Sequence, residues 1–202
     1  RMITGPAALA ERRKGGVYMA NALPDRETVI VFWFEELEPA QWFVMDTELD
    51  DEIRQRFAPL HAAAAAGGLW RWRDTRAGRL AEIVVLDQFS RNLHRNDAKA
   101  FAQDSMALVL AQEAVAQGVD QALDVAGRGF LYMPYMHSES LAIHDEALRL
   151  FDQPGLEEQL HYEHLHRDIL LRFGRYPPRH AVLGRESSVE ELDFLQQPGS
   201  SF

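Results

Sequence analysis

From Pro24 onward the large apolar residues recur at helical spacing, glycine and proline mark the segment ends, and no succession of alternating strands is visible. Asp25 stands as a cap before Ile30, Trp33, Phe34 and Leu37, although residues 29–34 alone also suit a strand. Asp46 precedes a second stripe of Leu49, Ile53, Phe57, Leu60 and Ala64, which stops at Gly67 and Gly68 and which Pro59 is expected to kink. Residues 79–89 are apolar around most of a helical circumference, the pattern of a buried central helix. A fourth helix is expected from Asn96 or Asp97 through Phe101, Leu108, Ala111 and Val115, stopping at Gly118. Short pieces are expected around residues 120–123 and 130–132. Ser138 reads as the cap of a helix burying Leu141, Leu148 and Phe151. Residues 156–173 read as another, with Tyr162, His166, Ile169 and Phe173 on one stripe and Gly174 at its end. Ser187 with Glu190 is a capping-box signal for a last short helix. The chain is therefore predicted to be all-α, its helices antiparallel neighbours joined by short connections.

At 202 residues one domain is favoured, over residues 25–202, with residues 1–24 a flexible N-terminal extension or tag remnant. The basic and Gly-Gly stretch from Arg12 to Gly16 belongs to that extension, and Met19 is expected near the natural start. The absence of cysteine removes disulfide scaffolds, thiol nucleophiles and Cys-ligated zinc or iron–sulfur centres. A formal charge of -10 argues against nucleic acid as a partner, because affinity for phosphate backbones rests on Lys and Arg. No run is long enough for a membrane helix or a signal-peptide core, so a cytoplasmic location is expected. Walker loops, GxGxxG and GxSxG are also missing.

Charged residues stand where the helical period calls for apolar ones. Asp87 and Arg91 share a stripe with Leu80, Ile83 and Val84 at i, i+4 spacing, with Gln88 and Asn92 alongside. An inward carboxylate needs a partner, so the pair is either a structural ion pair or a ligand-binding Asp and Arg. Tyr135, Met136, His137, Ser138 and Glu139 form a second cluster, readable as part of a site or as an ordinary helix start. His161 and His164 have metal-sharing spacing but lack a recognised signature and an evident third ligand, so no metal or cofactor is expected. His166 is either a satisfied core histidine or a pocket group. Arg167, Arg172, Arg175, Arg179 and Arg185 against Asp168 give residues 166–185 a local charge of +4. Such forks suit carboxylate or phosphate ligands, or the acidic remainder of the protein itself.

The strings Val31-Phe-Trp-Phe34, Trp42-Phe43, Leu86-Asp-Gln-Phe89, Arg91-Asn-Leu93, Phe130-Leu-Tyr-Met-Pro134, Met136-His-Ser-Glu139, Arg172-Phe-Gly-Arg-Tyr-Pro177 and Leu183-Gly-Arg185 resemble, in order, the bacterial family known as domain of unknown function 924. The resemblance implies a tetratricopeptide-like array of about seven to nine antiparallel helices and no established reaction. It also implies recurrent polar positions at Asp87, Gln88, Arg91, Asn92, His137, Glu139, His166, Arg172, Arg175 and Arg179. The chain departs where the family commonly has Phe-Pro-His-Arg-Asn: here Tyr176-Pro-Pro-Arg-His180 replaces it, so a histidine is missing at Pro178 and one is gained at His180.

Three functional expectations arise. The first is a binding module whose groove, lined by Arg91, Arg172, Arg175 and Arg179, receives an acidic peptide or a small anion, with Gln88 and Asn92 as further ligand contacts. The second is a hydrolase- or transferase-type enzyme with His137 or His166 as general base, supported by Asp87 or Glu139 and an Arg. The third is a purely structural polar network.

Overall fold

The computed structural model describes residues 22–201; Arg12, Gly16, Met19 and most of the expected extension lie outside that range. Asp25 accepts the backbone N–H of Thr28 and opens α1, Arg26–Val31, which runs directly into a π-helical turn at Phe32–Glu36. A π turn bonds to the fifth residue back, as Leu37 N–H does to Phe32 C=O at 3.2 Å. The extra residue rotates the stripe: Val29, Phe32, Trp33 and Leu37 are buried, while the expected Ile30 and Phe34 are only half-buried. It also leaves the Trp33 carbonyl to accept the Trp42 indole N–H at 2.8 Å.

Asp46 caps α2, Thr47–Ala65, through the N–H groups of Glu48 and Leu49, and the expected stripe from Leu49 to Ala64 is buried. Pro59 is exposed and the helix runs on through it. The expected single helix over residues 79–89 is instead α3, Arg76–Val84, followed by a π turn, Val85–Phe89, and α4, Ser90–Leu93. Every residue from Leu80 to Ser90 is buried. Asp97 caps only a short 3-10 turn, Ala98–Ala100, and α5 begins later, at Asp104–Ala116. The break between them presents Phe101 and Asp104 to the α3–α4 junction. Gly118 ends this unit with φ +72°, as its C′ position requires.

Where only short pieces were expected, Asp124 caps a full helix, α6, Val125–His137. Its glycines obscure the pattern because packing demands them: a Cβ on Gly127 would stand 3.1 Å from Leu80, and one on Gly129 3.2 Å from Leu156. In α7, Leu141–Phe151, the buried face is His144, Ala147, Leu150 and Phe151. Leu141 is exposed and Leu148 half-buried, and Ser140 rather than Ser138 precedes the helix. In α8, Glu157–Phe173, Glu163, His166, Ile169 and Leu170 are buried, whereas the expected Tyr162 is exposed. Both stripes are displaced because His144 and Glu163 bury against each other. A 3-10 turn, Pro177–Arg179, and α9, His180–Leu183, come next; α10, Val189–Leu195, has its capping box at Ser188 and Glu191, one residue beyond the expected pair.

α3 contacts α1, α5 and α6 and so occupies the centre, while α5 to α8 each pack on the next in chain order. The main apolar cluster is anchored by rings: Phe57 lies 4.9 Å from Phe89 and 5.0 Å from Phe32, and Trp33 lies 5.5 Å from Phe130. Such pairs add to their area burial. A smaller cluster of Ile169, Leu170 and Tyr176 is flanked by Phe173 and Phe194. Among the described residues no helix is long and apolar enough to cross a membrane.

Candidate functional site

The π turn aims Asp87 at the last residue of α6. His137 Nδ1 lies 2.7 Å from Asp87 Oδ1, Gln88 donates to the other oxygen at 3.1 Å, and Arg91 stands 3.2 Å away. Asp87 is 1 % exposed. Burial opposes its charge, but His137, Arg91 and Gln88 outweigh that and hold the carboxyl below the usual range. On His137, burial and Arg91 prevail over Asp87, and the ring stays below the ordinary histidine value. At neutral pH the pair is therefore a carboxylate and a neutral imidazole. Nδ1–H donates to Asp87, and the lone pair is on Nε2.

Arg91 forks onto Asp104 with bonds of 2.8 and 3.0 Å. Glu139 is gripped by Arg185 at 2.8 and 2.9 Å and accepts Tyr176 N–H at 2.8 Å. Burial would raise the Glu139 carboxyl, but these donors bring it below its ordinary value. Arg179 is treated differently. It donates to the His137 carbonyl at 3.0 Å and stacks on Phe101 and Tyr176, with ring centroids 4.5 and 4.7 Å from its guanidinium carbon. Among the described residues its nearest carboxylate, Asp104, is already held by Arg91 and stands 3.6 Å away. Burial and the charge of Arg91 accordingly pull Arg179 down from the ordinary arginine value, whereas Arg91 itself is raised.

Four of these groups line a cavity of about 370 Å³, and Asp87, Gln88 and Arg91 stand behind them, bonded to His137 and Asp104 or to one another. Asp104, His137, Glu139 and Arg179 supply polar wall; Phe101, Leu108 and Leu183 supply apolar wall. Of the residues expected at a site, Asp87, Gln88, Arg91, His137, Glu139 and Arg179 thus converge. The four-arginine groove does not form. Arg175 is engaged by Glu191 at 2.9 Å and by the Glu186 carbonyl, and Arg172 stacks on Phe173 and Phe194 by a separate depression. Asn92 turns the other way, to Asp50 at 2.8 Å. His161 and His164 are exposed, and no group of three or more metal-binding side chains occurs among the described residues. His180, the histidine gained in the Arg-Pro loop, is buried against Ser187 at 3.0 Å and does not line the cavity.

Asp104 and Tyr176 are the site residues that pattern reading misses. Asp104 was hidden by placing it mid-helix. Tyr176 supports Arg179 from beneath: its hydroxyl donates to Met136 C=O at 2.7 Å and accepts from His144 Nε2 at 2.9 Å. His144 Nδ1 meets Glu163 at 2.5 Å. Burial raises the Glu163 carboxyl above its ordinary value. The i, i+3 spacing of Glu163 and His166 was the available signal.

His166 sits beside Tyr176, its ring centroid 5.7 Å away, with Nδ1–H donating to Tyr162 C=O at 2.7 Å. It does not line the cavity. Burial pushes it down to about 3. An unfolded histidine titrates near 6.5, so between about 6.5 and about 3 the unfolded chain binds the proton that the native state refuses. The stabilisation is complete above the upper value and is lost as pH falls toward the lower. The melting temperature is expected to drop from about pH 7 to about pH 5, above most carboxylate titration, and His166→Gln is expected to flatten that slope. Parallel slopes for the two proteins in calorimetric scans would contradict this.

Residues 29–199 match the profile of a family described as "Bacterial protein of unknown function (DUF924)". The chain belongs to the DUF924 family. A solved structure of a protein of unknown function, ATU0120 from Agrobacterium tumefaciens, is similar to this DUF924 chain. It has 37% sequence identity and a TM-score of 0.81, covering 85% of this chain and 96% of the other. Among curated proteins none matches.

Proposed function

We propose that the DUF924 cavity is a binding site for a small carboxylate-bearing molecule, or for the acidic end residue of a peptide. One observation carries the reading: Arg179 is a guanidinium on the cavity wall, its side chain 13% exposed, and among the described residues its nearest carboxylate is already forked by another arginine. An anion placed against it would add a carboxylate partner that it does not share with Arg91. A volume of about 370 Å³ suits a small ligand and is too small for an extended peptide. Calorimetric titration with benzoate and phenylpropionate at low salt is expected to show saturable binding, weakened at least about tenfold by Arg179→Gln. Absence of saturation with either acid, or equal affinity in a well-folded Arg179→Gln protein, would remove the proposal.

A second reading, a hydrolase- or transferase-type enzyme, draws on the 2.7 Å bond between His137 Nδ1 and Asp87. That arrangement is a base held by an orienting carboxylate, with its second nitrogen left for a substrate proton and Arg179 beside it for developing negative charge. Turnover would register as free acid released from an ester of phenylpropionate, and His137→Ala is expected to abolish that release.

A further inference from the structure

The anion seat proposed at Arg179 has a neighbour whose chemistry narrows the ligand, and the narrowing rests on that seat. His137 commits Nδ1 to Asp87 at 2.7 Å, and a carboxylate can only accept, so that nitrogen carries the hydrogen. In a neutral ring the remaining nitrogen can then only accept. The other charged groups on the wall, Asp104 and Glu139, are acceptors too, and the N–H groups of Arg91 and Arg185 already occupy them at 2.8 to 3.0 Å. Ser105 and Ser138 have hydroxyls that rotate to either role. Among the described residues the wall therefore offers one cationic donor, Arg179, together with an acceptor at His137. Both residues line the same cavity, and Arg179 Nη2 donates to the His137 backbone carbonyl at 3.0 Å, which seats the guanidinium against the residue that carries the ring. A plain acid would satisfy Arg179 and leave the imidazole lone pair facing a group that cannot bond to it.

We infer that the cavity selects a small acid that also carries a hydroxyl or N–H donor a few bonds from its carboxylate, on an apolar body that packs against Phe101, Leu108 and Leu183. A hydroxy acid or an acylated amino acid with a hydrophobic side chain has this chemistry. The carboxylate meets Arg179, and the donor meets His137.

The test compares three probes on the full chain by isothermal titration: phenyllactate, phenylpropionate, which lacks the hydroxyl, and phenyllactate methyl ester, which lacks the charge. Phenyllactate is expected to bind at least about tenfold more tightly than phenylpropionate, since an unmet buried acceptor costs about that much. The ester is expected to be weaker than both. In His137→Ala the advantage of the hydroxyl is expected to disappear while Arg179 still distinguishes acid from ester. Should that variant fail to melt cooperatively, the wild-type comparison alone decides. Equal or reversed affinity of the two acids overturns the donor requirement and leaves the anion seat standing. Saturable binding of none of the three at millimolar concentration overturns the anion seat itself.

Discussion

Asp87→Ala is expected to lower the melting temperature by about 6 to 20 °C, from a loss of about 3 to 5 kcal/mol when one partner of a buried ion pair is deleted. The side chain is 1 % exposed and is bonded by His137, Gln88 and Arg91, so no water replaces it easily. Arg91 keeps its fork onto Asp104 after the deletion, which moderates the loss. His137 has no such reserve, for its Nδ1–H loses the carboxylate to which it donates. Asp87→Asn retains the shape and an accepting oxygen and is expected to lose less. Thermal melting followed by circular dichroism separates the cases. An unchanged midpoint in Asp87→Ala would mean that the cluster contributes nothing to stability and is present for its ligand alone.

Gly78→Ala is expected to be comparably damaging for a different reason. Gly78 lies in the first turn of α3, and a Cβ there would stand 1.9 Å from the carbonyl oxygen of Trp72 and 2.8 Å from its carbon. Both atoms are backbone and cannot rotate away, so the turn Trp70–Asp74 has to shift. That turn delivers Arg73, whose guanidinium holds the buried Glu82 with bonds of 2.7 and 2.8 Å. Moving it would expose an uncompensated carboxylate in the centre of the bundle. A loss above about 3 kcal/mol is expected, read as a lowered urea midpoint. Gly118→Ala is the control. Its φ is +72° and a Cβ would meet nothing, so only the left-handed conformation is penalised, by about 1 kcal/mol. Equal midpoints for the two variants would contradict the close-approach explanation.

Helical content, the caps at Asp25 and Asp46, the buried stripe of α2 and the glycine stops at Gly118 and Gly174 were legible because each depends on neighbours within a turn or two. The errors came where a local pattern was overruled from a distance. A π turn rotated the stripe after Val31, another broke the single helix expected over residues 79–89, and the His144–Glu163 pair displaced the faces of α7 and α8. The helix expected to start at Asn96 or Asp97 starts at Asp104, where Arg91 meets its carboxylate. Family resemblance named six of the converging residues, yet it also put Asn92, Arg172 and Arg175 with them. A type of residue does not say which way its side chain is drawn.

The amino-acid sequence by itself determined an all-helical body, the inward placement of Asp87, and a surplus of arginine near the C-terminal end. Spacing along the chain encodes burial over a few residues, and that is enough for these. Only the tertiary structure decided that Asp87 meets His137, 50 residues away, and that Glu139 meets Arg185, 46 residues away. Only it decided that Arg179, among all the arginines of its loop, lies on the cavity wall beside a carboxylate already taken. Those pairings depend on loop closure and on competition among many possible ion pairs, and the winner is set by which partners the packed helices bring within hydrogen-bond reach.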